Sequence, residues 1–417
     1  RDANGTLTRL NSVAVSAAGG GYTAVVPGAA GEAAYVVASE SALLPARSIR
    51  AARPAVGLRT GPATYLVIAH SAFIGGLQPL VAARTAEGLA VKVVDVQDIY
   101  ASYRGGVVDA SAIRDYIAEA SRSMGTRYVL LVGGDSFDYL DNLGLGAVSF
   151  VPSLYVETGP IIRWAPSDST YADVDRDGIQ DLAIGRWPVR SAQELSNVIA
   201  KTLEYATKGY GNTALFTSDY ADPKANEAYR FASGRLIDAL PQGWQVDRID
   251  LDQMAFSDAR AALFGGLTDG SALTSYVGHS GPVSWGSGMR PMSQHLLTVN
   301  DVATLGNAGH PTVVSQLGCW NNYYVSPSTE SLGAKLLLAG DRGAAAVIGA
   351  VSLTEDTNGN RFGLALTSRL GLSGMRIGDA ISAAKRTFAV ESQPESDLRD
   401  VLLGWTLLGD PALQVAP

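Results

Sequence analysis

Hydrophobic positions along the 417-residue chain change their spacing near residue 60. Before that point apolar and polar residues alternate between glycine-rich turns, for example over residues 22–26 and 34–38. This period of two predicts a small antiparallel β unit, a β domain or the remnant of a prodomain, over residues 1–60. From Tyr65 onward, short apolar runs alternate with amphipathic segments, which is typical of a parallel sheet with crossover helices.

The second region is expected to contain two consecutive α/β subdomains, residues 61–208 and 209–417, because glycines at 209 and 211 mark a joint. Nine apolar runs predict buried strands, at residues 65–69, 90–94, 127–132, 181–186, 214–218, 244–249, 273–277, 311–317 and 344–349. Amphipathic segments and capping residues predict helices at about 77–86, 110–123, 191–205, 227–240, 257–264, 331–338, 361–370, 377–391 and 398–408, and another after Asp301.

Composition narrows the function classes. Apolar residues make up 47% of the chain and charged residues 17%, which suits well-buried globular domains. No run of about 18 apolar residues is present, so we expect no membrane-spanning segment. The net charge of −8, without a basic block, argues against nucleic acid as a partner.

Two reactive side chains follow neighbouring predicted strands. His279 comes two residues after the run 273–277, and Cys319, the only cysteine, comes two residues after the run 311–317. If the strands are parallel neighbours, the two side chains lie side by side, as a thiol nucleophile and its base require. A lone cysteine is often just a small buried hydrophobe, but the matching histidine favours a catalytic pair. The backbone N–H of Cys319, with that of Ser280 or Gly281, would then face an oxyanion.

Six short motifs along the chain resemble the gingipain-type cysteine peptidases, family C25. They lie at residues 128–133, 167–171, 184–186, 276–279, 318–321 and 405–411, in the family's order. The resemblance implies a caspase-like α/β/α sandwich from about Tyr65 to Val415, with His279 and Cys319 at the catalytic positions. Gly318 precedes the cysteine as in the family, whereas Ser280 stands where the family has glycine after the histidine. Relatives often carry additional domains, so we expect further domains beyond both ends of this chain.

The family also implies an acid that orients the histidine, located after the first strand of the second subdomain. Asp219 and Asp222 both fit this description. Asp219 directly follows the strand and is the preferred candidate, whereas Asp222 fits a longer turn. Such a carboxylate would fix the imidazole tautomer and stabilise the imidazolium; alternatively, both acids merely cap the following helix.

Substrate specificity is less defined by the sequence. In relatives that cleave after Arg or Lys, a pocket carboxylate lies early in the helix after this loop, where this chain has Asn226 and Glu227. Glu227 is either this pocket acid or, as we prefer, a solvated acid at the start of the helix. The aromatic wall expected after residue 354 is replaced by acids. We expect Trp285, Trp320 and Tyr323 to line the cleft instead.

An acidic segment, residues 173–181, resembles the start of a calcium loop. Asp173, Asp175 and Asp177 alternate with other residues before Gly178, and Asp181 follows. Four carboxylates this close repel one another unless a hard cation neutralises them. We therefore expect a structural calcium ion, with a solvated acidic turn as the alternative, and no organic cofactor.

The sequence thus favours a secreted or cell-surface cysteine endopeptidase that acts on proteins or peptides through Cys319 and His279. Two rival hypotheses use the same fold. One is a cell-surface transpeptidase that passes the acyl group to an amine, and the other is an inactive peptidase-like binding protein.

Overall fold

The computed structural model describes residues 8–11, 13–26, 28, 35, 37, 57–225, 227–286, 294–392 and 397–415. The chain divides into two units, residues 1–51 and 52–417. In the first unit, β1 (Ala14–Ala18) and β2 (Gly21–Val25) form an antiparallel hairpin with exposed side chains. This hairpin is antiparallel β structure of the kind that the alternation predicts; residues 34–38 lie mostly outside the described residues.

The second unit alternates strands and helices. Its strands are β3 (Tyr65–Ala69), β4 (Val91–Asp95), β5 (Tyr128–Val132), β6 (Tyr155–Val156), β7 (Ala165–Pro166), β8 (Ala183–Trp187), β9 (Thr213–Ser218), β10 (Gln245–Asp250), β11 (Leu273–Val277), β12 (Ser280–Gly281), β13 (Ser284–Trp285), β14 (Leu297–Thr298), β15 (Thr312–Leu317), β16 (Ala344–Ala350) and β17 (Trp405–Leu408). Its helices are α1 (Ser71–Ile74), α2 (Gln78–Ala86), α3 (Val96–Arg104), α4 (Ala110–Met124), α5 (Ser169–Ala172), α6 (Ala192–Lys208), α7 (Tyr229–Asp238), α8 (Phe256–Asp269), α9 (Leu332–Leu338), α10 (Asp356–Leu370), α11 (Ile377–Glu391) and α12 (Arg399–Leu402).

Ten of these strands form one sheet in the order β10-β9-β11-β15-β16-β17-β8-β5-β3-β4. Neighbours are parallel except β16 and β17, which are antiparallel. The sheet therefore has two halves that run in opposite directions and meet between β16 and β17. The catalytic candidates follow β11 and β15, at the carboxyl ends of the strands in the half that contains β9, β11, β15 and β16.

Three hydrophobic clusters cover the two faces of this sheet. Successive residues of a strand point to opposite faces, and the clusters divide accordingly. One cluster extends along one face of both halves, and the other two cover the opposite face, one for each half. Representative strand residues are Val67, Leu130, Leu215 and Val314 on the first face, and Ile68, Val129, Phe216 and Val313 on the second. The result is a helix–sheet–helix sandwich, as expected from the sequence.

The nine predicted strands are all present, and most are short apolar runs buried between helix layers, whereas the edge strand β10 is mostly exposed over residues 245–248. Three of the predicted helices are capped by Asp109, Ser191 and Ser331, whose side chains accept hydrogen bonds from the first helical turn. Two predictions were wrong. The helix after Asp301 is a single 3₁₀ turn, Val302–Thr304. The segment 398–408 is not one helix, since only Arg399–Leu402 is helical and Trp405–Leu408 is a strand.

The strand β17 joins the halves of the sheet. It pairs with β16 over residues 405–408 and with β8 through Leu408 and Arg186. Just beyond it, Gly409 N–H donates to the Arg186 carbonyl at 2.9 Å. A Cβ on Gly185 would lie 2.2 Å from the Gly409 carbonyl oxygen, so close approach of the two backbones requires glycine there. In the part of the chain that the structure describes, no helix has the length and apolar character needed to cross a bilayer.

Candidate active site

The two reactive side chains follow adjacent parallel strands in matching register. Val277 of β11 pairs with Leu317 of β15. The Gly278 N–H then donates to the Leu317 carbonyl at 3.1 Å, so the ladder continues one step past the strand ends. His279 and Cys319 are both two residues beyond the paired positions. The topology therefore brings them to the same edge of the sheet, as the sequence predicted.

Glycines allow the two strand ends to pack against each other. A Cβ on Gly318 would lie 2.2 Å from Ser280 Oγ and 2.7 Å from the Gly278 carbonyl oxygen. A Cβ on Gly278 would lie 2.3 Å from the Asp219 Cβ. Contacts this short leave no room for any side chain. Gly318 thus has a steric role in placing Cys319 beside the loop that carries His279.

The Cys319 thiol is half-buried against the backbone of Thr354. The Thr354 N–H donates to Sγ at 3.5 Å, and Sγ lies 3.7 Å from the Thr354 carbonyl oxygen. Burial raises the pKa of Cys319, and the nearby carboxylates of Asp356 and Asp400 raise it further, while the Thr354 N–H lowers it. The resting side chain is therefore a neutral thiol at neutral pH.

The His279 imidazole is held by groups from the loop after β9 and from α7. Its Nε2 lies 2.7 Å from Asp222 Oδ2 and 3.1 Å from the Tyr229 hydroxyl. The Tyr229 ring also packs edge-on against the imidazole, with ring centroids 5.4 Å apart. A carboxylate can only accept, so Nε2 carries the proton and Nδ1 is the basic nitrogen. Within the described part of the chain, no hydrogen bond joins the imidazole to the Cys319 Sγ.

The backbone of His279 is fixed as well. Its carbonyl oxygen accepts from the Tyr276 hydroxyl at 2.5 Å and from the Gly286 N–H at 2.8 Å. The Tyr276 ring stacks on Trp285, with centroids 4.8 Å apart and planes 2° apart. These contacts tie the histidine loop to the buried interior.

Of the two candidate acids, Asp222 and not Asp219 makes the 2.7 Å contact with the His279 imidazole. Asp219 directly follows β9, is only 2% exposed, lies beneath Gly278, and its Oδ1 accepts from the Tyr220 N–H at 2.8 Å. Asp222 is more exposed, and its pKa is lowered by the N–H of Lys224 and by His279. The sequence-based preference for Asp219 is therefore reversed, because the strand-end position is buried under the histidine loop.

The predicted oxyanion residues surround the Cys319 backbone. Ser280 and Gly281 form β12, which pairs with Ser284 and Trp285. The Ser280 hydroxyl donates to the Cys319 carbonyl oxygen at 2.9 Å. The serine that departs from the family pattern thus makes a direct bond to the nucleophile's own main chain. The assignment of oxyanion donors stays a prediction.

Three of the five residues predicted to line the substrate pocket lie in different surroundings. Trp285 is 1% exposed, and its indole N–H donates to Gln316 Oε1 at 2.8 Å, so it belongs to the interior and does not line an open cleft. Glu227 forms an ion pair with Arg235, which lowers its pKa. Trp320 adopts a left-handed φ of 65° directly after the nucleophile.

The remaining pocket candidates are Tyr323 and Asn226. Tyr323 packs edge-on against the Trp320 ring, with centroids 5.1 Å apart, and both side chains are half-buried. Asn226 lies outside the described residues.

Three of the four aspartates in the acidic segment 173–181 have their carboxylates close together. Carboxylate oxygens of Asp173, Asp175 and Asp177 lie within 4.8 Å of one another. Asp181 Oδ2 instead accepts from the N–H groups of Val174, at 2.8 Å, and Asp175, at 3.4 Å. Asp181 therefore shapes the loop, and the first three acids form the cluster that could hold a cation.

Tyr229, Thr354, Asp356 and Asp400 were not assigned to the site from the sequence. Tyr229 is the first residue of α7, and its hydroxyl lies 3.4 Å from Asp356 Oδ2. Asp400 accepts from the Glu355 N–H at 2.8 Å, next to Thr354. Tyr229 comes seven residues after Asp222, which is a usable signal, whereas Asp400 comes more than 80 residues after Cys319 in the chain and carries no signal that links it to the thiol.

Comparison with known proteins agrees with this arrangement. The model of peptidase family C25 matches residues 59–416. The complex of the pro- and mature domains of RgpB from Porphyromonas gingivalis is similar, with 19% identity, coverage of 84% of this chain and 79% of that chain, and a TM-score of 0.68.

Two further solved structures are also similar. The Arg-specific cysteine proteinase gingipain R (RgpB) has 20% identity, coverage of 87% and 80%, and a TM-score of 0.68. A structure described only as a protease has 16% identity, coverage of 86% and 79%, and a TM-score of 0.65. No curated protein sequence matches the chain. These structural likenesses show a caspase-like fold, and the family match covers nearly the whole second unit. The chain belongs to peptidase family C25 and is a cysteine peptidase.

Proposed function

We propose that this protein is a secreted endopeptidase in which Cys319 is the nucleophile and His279 is the general base. The observation that carries the proposal is the matching register of β11 and β15, after which both residues follow at one edge of the sheet. Asp222 binds Nε2 of the imidazole, which leaves Nδ1 as the basic nitrogen. The proposed location outside the cell rests on the family resemblance.

The first step is acylation. The neutral Cys319 thiol gives its proton to Nδ1 of His279 as Sγ attacks the substrate carbonyl carbon, and the carbonyl π electrons move to oxygen. This transfer requires the thiol and Nδ1 to lie within hydrogen-bond distance in the complex with substrate. Collapse of the tetrahedral intermediate breaks the C–N bond, and His279 returns its proton to the departing amine nitrogen.

The second step is deacylation. Water attacks the thioester carbonyl and His279 takes the water proton. The C–S bond then breaks, its electron pair goes to sulfur, and His279 returns the proton to Sγ, so that the carboxylic acid product leaves and the neutral thiol is restored. Asp222 keeps the ring in the tautomer with Nε2–H and stabilises the imidazolium that forms in each step. The N–H groups of Cys319 and of Ser280 or Gly281 are the proposed oxyanion donors.

A thiol-directed peptidyl probe tests the assignment of the nucleophile. Wild type should be labelled at Cys319, and Cys319→Ala should not be labelled while keeping its melting temperature. His279→Ala should retain the thiol but lose most labelling at neutral pH, because the neutral thiol then lacks its base. Equal labelling of wild type and His279→Ala would contradict the general-base role.

We further propose that Asp173, Asp175 and Asp177 hold a structural calcium ion. Three oxygen donors within 4.8 Å suit a hard cation. Excess chelator should lower the melting temperature of wild type and have little effect on Asp175→Asn. An unchanged melting temperature of wild type in chelator would contradict calcium binding.

A further inference from the structure

Thr354 borders two cavities of very different size. The smaller one, between Tyr229, Gly318 and Asp356, has a volume of only about 10 Å³ and cannot hold a substrate side chain. The Tyr229 hydroxyl contacts both the His279 imidazole and Asp356 beside it. Glu227, a candidate pocket acid from the sequence, is paired with Arg235.

A much larger cavity lies on the other side of Thr354. Its volume is about 570 Å³, within the roughly 300–1,000 Å³ of typical ligand pockets. One wall comes from the loop between β6 and β7, with Pro160, Ile161 and Ile162, and the other from Leu353 and Thr354. Because Thr354 contacts the Cys319 Sγ through its backbone, the cavity begins one residue away from the nucleophile.

The accessible walls of this cavity are apolar. Ile161 is 76% exposed and Leu353 is 40% exposed, so both present hydrocarbon surface that no other part of the described chain covers. Exposed apolar side chains grouped around a concave surface next to a nucleophile favour an apolar ligand.

The carboxylates around the cavity are bound by their own neighbours. Asp397 pairs with Arg399 through two bonds of 2.8 and 2.9 Å. Asp400 is only 8% exposed and accepts from the N–H groups of Glu355 and Val401 and from the Asn358 side chain.

The third carboxylate, that of Glu355, accepts from the Asn358 N–H at 2.9 Å as the N-cap of α10. A substrate cation would have to compete with these internal donors for each acid. The acids therefore shape the cavity floor and leave the apolar walls to contact the substrate.

We propose that this cavity binds an apolar side chain, such as that of Leu, Ile, Met or Phe, of the residue whose carbonyl Cys319 attacks (P1). This assignment rests on the peptidase mechanism proposed above. It predicts a specificity different from that of the Arg-specific gingipain R, although the two proteins share a fold.

Cleavage-site profiling on a proteome-derived peptide library tests the pocket. Wild type should cleave after large apolar residues. Leu353→Glu and, independently, Ile161→Glu should lower kcat/KM for an apolar P1 relative to a Lys or Arg P1 by about 10- to 100-fold, since each places a charge on the apolar wall. Leu372→Glu is the matched control, because Leu372 is 42% exposed and does not line the cavity, and it should leave the profile unchanged.

Two outcomes separate failure of the pocket from failure of the mechanism. If Cys319 is labelled by the peptidyl probe but wild type cleaves after basic residues, or both wall variants keep the wild-type profile, the pocket assignment is wrong. If wild type neither cleaves the library nor is labelled at Cys319, the peptidase mechanism itself is wrong, and the pocket assignment falls with it.

Discussion

Gly318 packs directly against the loop that carries His279, with no space for a side chain, so Gly318→Ala tests whether this packing positions Cys319. The new methyl group would lie 2.2 Å from Ser280 Oγ and 2.7 Å from the Gly278 carbonyl oxygen. The Gly278 N–H donates to the Leu317 carbonyl, so the backbone that carries this oxygen is held by the continued ladder between β11 and β15. The Ser280 hydroxyl can move, but only by giving up its 2.9 Å bond to the Cys319 carbonyl.

The expected cost has two parts. Overpacking of a tight site costs about 1–3 kcal/mol of unfolding free energy, and loss of the Ser280 hydrogen bond adds about 1 kcal/mol. We therefore expect Gly318→Ala to be destabilised by about 2–4 kcal/mol. Because Cys319 is the next residue, a displacement of about 1 Å should also lower kcat on the order of 100-fold.

Denaturant unfolding and steady-state kinetics on a double-mutant cycle measure both effects. Ser280→Gly alone should cost about 1 kcal/mol, and in that background Gly318→Ala should cost at least about 1 kcal/mol less than in wild type, since the shortest contact is gone. Gly281→Ala is the control, because a Cβ there meets no atom within 4 Å. Additive costs, or equal costs for Gly318→Ala and Gly281→Ala, would refute the packing argument.

Three further changes test the electrostatics of the site. Asp222→Asn should lower kcat about 10- to 100-fold with little change in KM, because the amide can still hold the imidazole but lacks the charge that stabilises the imidazolium; an unchanged kcat would contradict its orienting role. Since the pKa of Cys319 is raised, the rate of its alkylation by iodoacetamide should keep rising above pH 8. Asp356→Asn should increase this rate at pH 8, because it removes a negative charge that disfavours the thiolate. A rate that levels off below pH 7 would contradict the raised pKa. Burial raises the pKa of Asp400 from 3.8 to about 6. Its protonation therefore stabilises the folded state fully below pH 4, and this contribution of about 3 kcal/mol to the unfolding free energy is lost as the pH rises through 6. The unfolding free energy measured from pH 4 to 7 should show this fall in wild type and lack it in Asp400→Asn.

The strands, and the placement of His279 and Cys319 at one edge of the sheet, could be predicted from the sequence because both depend on local signals. Buried parallel strands are short apolar runs, and the residues that follow them lie at the sheet edge whatever the detailed packing. This is why the run 273–277 placed His279, and the run 311–317 placed Cys319, in agreement with the pairing of β11 with β15. Knowing that two strands end together is enough to locate a pair of side chains.

Other parts of the site depend on contacts between distant segments and could not be read locally. Trp285 is an aromatic residue close to His279 in the sequence, which suggested a place in the cleft, but it stacks on Tyr276 and is buried. Asp219 and Asp222 are separated by one short turn, and only the packing of Gly278 on Asp219 decides which carboxylate is free to reach the imidazole. Asp400 reaches the site only because α12 lies beside the start of α10.

The segment 398–408 shows the same limit for secondary structure. Its leucines and Trp405 suit a helix as well as a strand when read alone. In the folded chain Trp405–Leu408 pairs with both β16 and β8, so the sheet on each side supplies backbone partners that a local pattern does not reveal.

The late position of β17 in the chain has a consequence for synthesis on the ribosome. The first half of the sheet, β3, β4, β5 and β8, is complete once residue 187 has emerged, and β9, β10, β11, β15 and β16 are complete by residue 350. Yet, among the strands that the structure describes, the two halves share a hydrogen-bonded border only through Trp405–Leu408. More than 50 further residues must therefore be translated after β16 before the sheet becomes continuous. Cys319 and His279 are made well before that moment, so the nascent chain carries both reactive side chains while its sheet is still in two parts.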